Sequence, residues 1–300
     1  MVFLKIKKII EVGGIEYLVK KIFYRLLLQL KNYFKTDLYN KIEFYLLVGY
    51  WPRLKNPKTL NEKITCRKLY EPHPLSKIVA DKFVVREYIV QKGMNDILID
   101  LLWSGTEPEK IDFDSLPKSF VIKATHGSGW NIIVDDKNKI IKEEIVAECQ
   151  KWLSTKYSSV IGETHYDDIV PRIIIEKFIE DSKYKIPLDY KFFCFHGRVE
   201  MIQVDSSRFI QHARNLYDRS WNEMPVVLQY PKGFSVEKPA LLKEMIEVAE
   251  HISANFDFSR IDLYCQNNTK IFFGEITLTP GAGLERFNPK KWDYILGEKW

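Results

Sequence analysis

Between Ile15 and Phe34 the apolar residues Ile15, Leu18, Val19, Ile22, Phe23, Leu26, Leu27, Leu30 and Phe34 recur three and four apart. That spacing is the signature of one face of an α-helix. Gly13-Gly14 predicts a break between this helix and a shorter leading turn. Tyr50-Trp51-Pro52 through Asn56-Pro57 breaks helix and reads as a connector. Thr59-Leu60-Asn61-Glu62 then carries capping-box chemistry and predicts a helix running toward Tyr70. Two short β-like runs, 120–124 and 131–134, flank His126-Gly127-Ser128-Gly129 and predict an antiparallel hairpin. A helix is expected over 142–156, with Ile145, Val146, Cys149, Trp152 and Leu153 on one side. Residues 172–179 read as a buried strand that meets a polar residue at Glu176. Residues 260–264 and 270–275 read as two strands joined by a polar turn at 266–269.

An apolar content of 46% with 14% aromatics argues for a packed globular chain. The net charge of +5 is unevenly placed: residues 1–60 hold twelve Lys/Arg against four Asp/Glu, so the remainder is net acidic. The body therefore lacks the basic, motif-bearing domain of a nucleic-acid binder, and no nucleic-acid partner is expected. Cys66, Cys149, Cys194 and Cys265 are scattered without a C-x-x-C pair, which fits a reducing compartment and a cytoplasmic protein. The opening MVFLKIKKII has lysines interrupting its apolar residues, and no run approaches the roughly 20 apolar residues that span a bilayer. The basic amphipathic stretch has two readings. Residues 1–34 are an in-plane anchor on the inner membrane face, or a helix whose apolar side packs on the protein's own core or a partner with its lysines in water.

The candidate chemistry sits on the predicted strands. Lys123 enters the Gly127-Ser128-Gly129 turn, where backbone N–H groups can form an anion-binding nest and the lysine supplies a fixed positive charge. Glu176, followed by Phe178 and Ile179, suits a base-binding slot: a polar group and backbone for the exocyclic amine, and apolar side chains to sandwich the ring. Asp262 and Glu275 lie among apolar strand residues, where uncompensated acids are costly. A two-residue turn, 267–268 or 268–269, puts both on one face, and a three-residue turn puts them on opposite faces. Two carboxylates converging on a low-dielectric face repel unless a cation lies between them, and magnesium suits such oxygen ligands.

Taken together, the stretches NPKTLNEKI, ADKFVVREYI, LPKSFVIKATHGSG, PRIIIEKFI, DYKFFCFHG, RIDLY and FGEIT resemble the teichuronopeptide-biosynthesis, TupA-like, ATP-grasp family from about Asn56 to Glu298. The resemblance implies an α+β fold in which a nucleotide is held between two antiparallel-sheet lobes. It divides the chain into a helical segment 1–55, an N-terminal lobe 56–119, a central lobe 120–180 and a C-terminal lobe 181–300 with the metal site. It implies Lys82 and Lys123 as nucleotide-phosphate lysines, Gly127-Ser128-Gly129 as the loop over the phosphates, and Glu176, Phe178 and Ile179 as the adenine hinge. Asp189 and Lys191 match a ribose or phosphate pair, and Arg208 and Arg260 match charge stabilisers at the transferred phosphate. Asp262, Glu275 and Thr277 match the magnesium ligands, with Thr277 where many relatives have asparagine. The implied activity uses ATP and Mg2+ to join a carboxylate, such as a uronic acid of a capsular or O-antigen glycan, to an amine through an acyl phosphate. Loops 154–168 and 206–225 are rich in Tyr, Trp, Arg and His, suited to stacking on sugars. The competing readings are a glycosyltransferase using Asp112-Phe113-Asp114, an ATP-dependent glycan phosphotransferase and a non-catalytic scaffold.

Overall fold

A computed structural model describes residues 2–29, 33, 35–157, 166–206 and 212–300, with side chains from Gly14 onward. Helix α1 (Val2–Gln29) changes direction at Gly14, whose φ of 73° and ψ of −175° no residue with a Cβ adopts readily. The expected break is therefore a kink inside a longer helix. Its orientation differs from the ordinary amphipathic arrangement. Tyr17, Lys20 and Leu27 turn inward, while Ile15, Val19, Ile22, Phe23 and Leu26 stay exposed. The inward side is held by Tyr17 Oη donating to Gln229 at 3.2 Å and Tyr24 Oη donating to Glu43 of α2 (Thr36–Val48) at 3.1 Å.

Helix α3 (Leu60–Leu69) starts at the predicted capping box: the Thr59 hydroxyl accepts from Glu62 N, and the Glu62 carboxylate accepts from Thr59 N, each at 3.1 Å. Helices α4 (Ser76–Ala80) and α5 (Val85–Gln91) follow, then strand β1 (Leu101–Gly105). The predicted hairpin is present as β2 (Phe120–Ala124) and β3 (Asn131–Val134), followed by α6 (Lys142–Ser154) and β4 (Ile173–Lys177). These four strands form one antiparallel sheet in the order β1-β4-β2-β3. Period-two alternation gives it two faces. Phe120, Ile122, Ile173 and Ile175 pack with Ile145, Cys149 and Trp152 of α6, leaving Val121, Lys123 and Glu176 on the opposite side.

The second sheet contains β5 (Asp189–Phe195), β6 (Arg198–Ser206), β7 (Ala213–Tyr217), β9 (Phe258–Gln266) and β10 (Lys270–Thr277), ordered β10-β9-β5-β6-β7 and antiparallel throughout. A two-stranded ribbon pairs β8 (Val227–Leu228) with β11 (Phe287–Asn288). One face of the large sheet presents Tyr190, Phe192, Ile202, Ile261 and Leu263 to Met245, Ala249 and Ile252 of α7 (Leu242–Ser253), and to Ile89 of α5. The other face is split. Its far half carries Phe193, Phe195, Met201 and Phe258, covered by Leu60 and Ile64 of α3 and Leu296 of α8 (Lys291–Gly297). Its near half carries Asp189, Lys191, Gln203, Asp205 and Asp262, all buried. Residues 56–119 thus divide between two bodies: α3 packs on the five-stranded sheet, and β1 completes the four-stranded one.

Asp293 ties α8 to α3. Its carboxylate accepts from Asn61 N and Asn61 Nδ2, both at 2.9 Å, and from Tyr50 Oη at 2.7 Å. Burial pushes its pKa up to about 6, against the pull of those hydrogen bonds. The folded state therefore holds a proton that the unfolded state has released. Stability from this site is full below the unfolded value and is lost as pH rises through about 6. Asp293→Asn is expected to gain about 2–3 kcal/mol relative to wild type between pH 4 and 6.5. Denaturant unfolding across that range checks it, and a difference independent of pH would contradict it.

Candidate functional site

Lys123 and Glu176 are diagonal neighbours on the free face of the four-stranded sheet, since Val121 pairs with Glu176 and Lys123 with Ile174. Their side chains meet at 2.6 Å, and Arg86 of α5 reaches the other carboxylate oxygen at 3.1 Å. Arg86 also donates to Ile99 O at 2.9 Å, which fixes its direction. Glu176 is therefore committed to two cations, so in this state its side chain serves as counter-ion to Lys123.

The Gly127-Ser128-Gly129 segment turns between β2 and β3. Lys82, between α4 and α5, donates its ammonium to Gly127 O. Burial lowers the Lys82 pKa and Lys123 adds to that, while Glu275 opposes it. His126 anchors the same turn, with Nε2 2.9 Å from Trp152 O of α6 and its ring edge-on to Trp130.

On the five-stranded sheet, Lys191, Asp262 and Glu275 lie directly abreast on β5, β9 and β10. The hairpin reaches that alignment by another route than a two-residue turn. Gln266 pairs with Lys270, leaving a three-residue turn, 267–269, in which Asn267 and Asn268 have φ of 51° and 55°. That turn alone would send Asp262 and Glu275 to opposite faces. A bulge between Phe273 and Glu275 inserts one residue, Gly274, and restores the pairing of Glu275 with Asp262. A Cβ at Gly274 would stand 2.9 Å from Asp262 O and 3.2 Å from the Tyr264 ring. Gly274→Ala is therefore expected to cost about 1–3 kcal/mol and to disturb the alignment of the acids. Denaturant unfolding measures the cost. A variant with wild-type stability and activity would show that the bulge is dispensable.

Arg260, two residues before Asp262 on the same face, fills the space between the acids. Its Nε and Nη2 donate to Asp262 at 2.7 and 2.8 Å, and Nη2 also reaches Glu275 Oε1 at 2.8 Å and Thr277 Oγ1 at 3.2 Å. Thr277 Oγ1 donates to Glu275 at 3.0 Å. Lys191 donates to Asp262 and pairs with Asp189 at 2.7 Å. Burial pushes the Asp262 carboxyl up, to about 6, despite Arg260 and Lys191. Burial also raises Glu275, but the charges of Arg260, Lys191 and Lys82 outweigh it and hold that carboxyl well below its usual range.

Two connected cavities lie between the sheets. The smaller, about 360 Å3, is lined by Lys82, Lys123, Ser128 and Gly129 from one side and by Asp189, Lys191, Arg260, Asp262 and Glu275 from the other. The larger, about 770 Å3, has Val121, Ile133, Phe178, Ile179 and Phe234 on its walls and shares Lys123, Glu176 and Asp189 with the first. Arg208 lies outside the described residues, as do 158–165 and 207–211 of the two sugar-suited loops. Asp112 and Asp114 line neither cavity: Asp112 accepts from Asp114 N at 3.2 Å within its own turn, and Asp114 pairs with Lys142 on the surface at 2.8 Å.

Sequence reasoning missed a second polar row beside the first. Asp205 of β6 is opposite Asp189 and also opposite Arg214 of β7. Arg214 donates to Asp205 at 2.7 Å and to Glu285 at 2.8 Å, and Gln203 donates to Asp205 at 3.0 Å. The signal was available as Gln203 and Asp205 at alternate positions of an otherwise apolar strand, which places both on one buried face.

The smaller cavity counts six Lys/Arg against five Asp/Glu among the described residues. A polyphosphate entering so nearly neutral a cleft needs further positive charge. Asp262, Glu275 and the Thr277 hydroxyl form a set of hard oxygen donors that suits magnesium, which takes one or two carboxylates and completes its shell with phosphates and water. Among the described residues no group of three or more His, Cys, Asp or Glu forms an all-protein metal cage.

Two antiparallel sheets that enclose lysines from one and carboxylates from the other define an α+β protein of the ATP-grasp class. The chain belongs to the TupA-like ATPgrasp family, which it matches over residues 62–300. No curated protein matches it in sequence. Among solved structures it is similar to D-alanine–D-alanine ligase from Bacillus anthracis complexed with ATP, at 18% identity and a TM-score of 0.43, covering 68% of this chain and 56% of that one. It is also similar to an L-amino acid ligase from Bacillus licheniformis, at 16% identity and a TM-score of 0.45, covering 75% and 49%. The chain thus spans about half the length of these structures.

Proposed function

We propose that this protein is an ATP-dependent carboxylate–amine ligase that builds an amide on a uronic acid or similar carboxylate during capsular or O-antigen polysaccharide synthesis. The observation that carries the reading is the meeting of Lys82 and Lys123 with Asp262 and Glu275 in one cleft, in a chain of the TupA-like ATPgrasp family. The base fits the larger apolar cavity beside Phe178 and Ile179, and the polyphosphate lies in the smaller one under the 127–129 turn. Asp262, Glu275 and Thr277 would hold magnesium, which would supply Lewis-acid charge to the phosphates.

The residues of the chain then act mainly by position and charge, because phosphoryl transfer needs little covalent help from the protein. Lys82 and Lys123 neutralise the polyphosphate. Lys191 and Arg260 stand where charge gathers on the transferred group, Arg260 having exchanged its contacts with the acids for contacts with phosphate. A substrate carboxylate oxygen attacks the γ-phosphorus and ADP departs. An amine nitrogen then attacks the acyl carbon, phosphate leaves, and the nitrogen loses a proton. The four cysteines, buried and free, fit a cytoplasmic setting where ATP is supplied.

The test supplies ATP, magnesium and a uronic acid, with hydroxylamine in place of the amine. ADP release together with an acyl hydroxamate is the expected result. A stable phosphate ester on a glycan hydroxyl would replace the ligase reading with a phosphotransferase.

A further inference from the structure

The exposed stripe of α1 plays no part in the cleft. Ile15, Val19, Ile22, Phe23 and Leu26 lie within one face of the helix and are 44–69% exposed, while Tyr17, Lys20 and Leu27 are at most 9% exposed. The helix is thus fastened through its aromatic and polar side. Tyr17 bonds Gln229 and lies under the Arg286 guanidinium at 4.8 Å, and Lys20 stands 4.4 Å over the Tyr45 ring. An amphipathic helix ordinarily buries its apolar stripe against the core; this one buries Leu27 and leaves Ile15, Val19, Ile22, Phe23 and Leu26 exposed.

We propose that α1 rests in the plane of an anionic lipid surface, with this stripe entering the boundary between headgroups and acyl chains. Three observations select lipid over another occupant. The exposed Arg25 lies on one flank of the stripe, with Lys21 behind it 5.3 Å over the Tyr17 ring, and Glu16 on the other flank is paired with Lys20 at 2.7 Å. The helix sits within a 60-residue segment holding twelve Lys/Arg against four Asp/Glu. The excess of basic residues complements anionic headgroups. Tyr45, under Lys20 of the helix, has Trp51 6.3 Å away, both exposed, and aromatic rings of this kind settle at the headgroup level. No helix among the described residues is long and apolar enough to cross a membrane, so contact from the surface is the mode that fits.

The test uses the full chain and co-sedimentation with vesicles of phosphatidylcholine, alone or mixed with phosphatidylglycerol. Wild type is expected to bind the mixed vesicles and to lose binding as salt rises. The exposed double variant I22E/F23E should lower the bound fraction about tenfold or more. K21E/R25E should remove the preference for phosphatidylglycerol, and both variants should keep wild-type nucleotide binding. Equal sedimentation of wild type and I22E/F23E would overturn the proposal. So would a lipid-free dimer, seen by sedimentation velocity, that I22E/F23E dissociates, since the stripe would then be an interface between copies. Because nucleotide binding is read separately, failure here leaves the ligase reading untouched.

Discussion

Glu275→Ala is expected to slow ADP release about 10^3-fold. Glu275 shares the Arg260 guanidinium with Asp262, accepting from Nη2 at 2.8 Å. Its removal leaves Asp262 and Asp189 facing Arg260 and Lys191, raises the net positive charge lining the cleft, and takes away one of the two carboxylates proposed to hold magnesium. The magnesium concentration giving half-maximal rate should rise along with the loss in rate. The fold should survive, because this side chain is 40% exposed and belongs to no hydrophobic cluster. Steady-state ADP release against magnesium concentration measures both effects. Wild-type rates in a folded Glu275→Ala protein would remove these acids from the chemistry.

Arg214→Ala is expected to destabilise the protein by about 3–5 kcal/mol. The guanidinium bridges Asp205 and Glu285 and is 6% exposed. Burial alone would lower its pKa, but the two carboxylates outweigh burial and raise it. Asp205 is raised by burial, yet Arg214 and His212 pull it far below the usual carboxylate range. Removing the arginine leaves the nearly buried Asp205 carboxylate without its paired charge. The double variant D205N/R214A should recover part of the loss, because the acid is then neutral. Denaturant midpoints of the three proteins decide the matter, and a cost under about 1 kcal/mol for Arg214→Ala would show that the pair adds little.

Elements governed by local chemistry were legible in the sequence. The Thr59/Glu62 box, the strands on either side of His126 and the helix beginning at Lys142 are written in adjacent residues. The alignment of Asp262 with Glu275 was also expected, but the physical route differs. Parity counted from a two-residue turn missed that two left-handed asparagines make a three-residue turn and that Gly274 then adds back one residue. Either feature alone would have separated the acids. Pairings across distant sequence were not legible. Glu176 reads as a hinge carboxylate until β2 and β4 bring Lys123 beside it. Arg214 has no local signal, because its partners lie nine and 71 residues away. Helical periodicity likewise marks a stripe on α1 without saying which way it faces. That direction depends on Tyr17, Lys20 and Tyr24 finding partners on the body.

The most direct test is a crystal structure grown with manganese and a non-hydrolysable ATP analogue, read from the anomalous signal of the metal. The expected map places manganese against Asp262 and Glu275, with Arg260 moved off the acids and the analogue's phosphates beside Lys123. Manganese bound elsewhere, or an analogue whose phosphates lie away from the 127–129 turn, would contradict the assignment of this cleft.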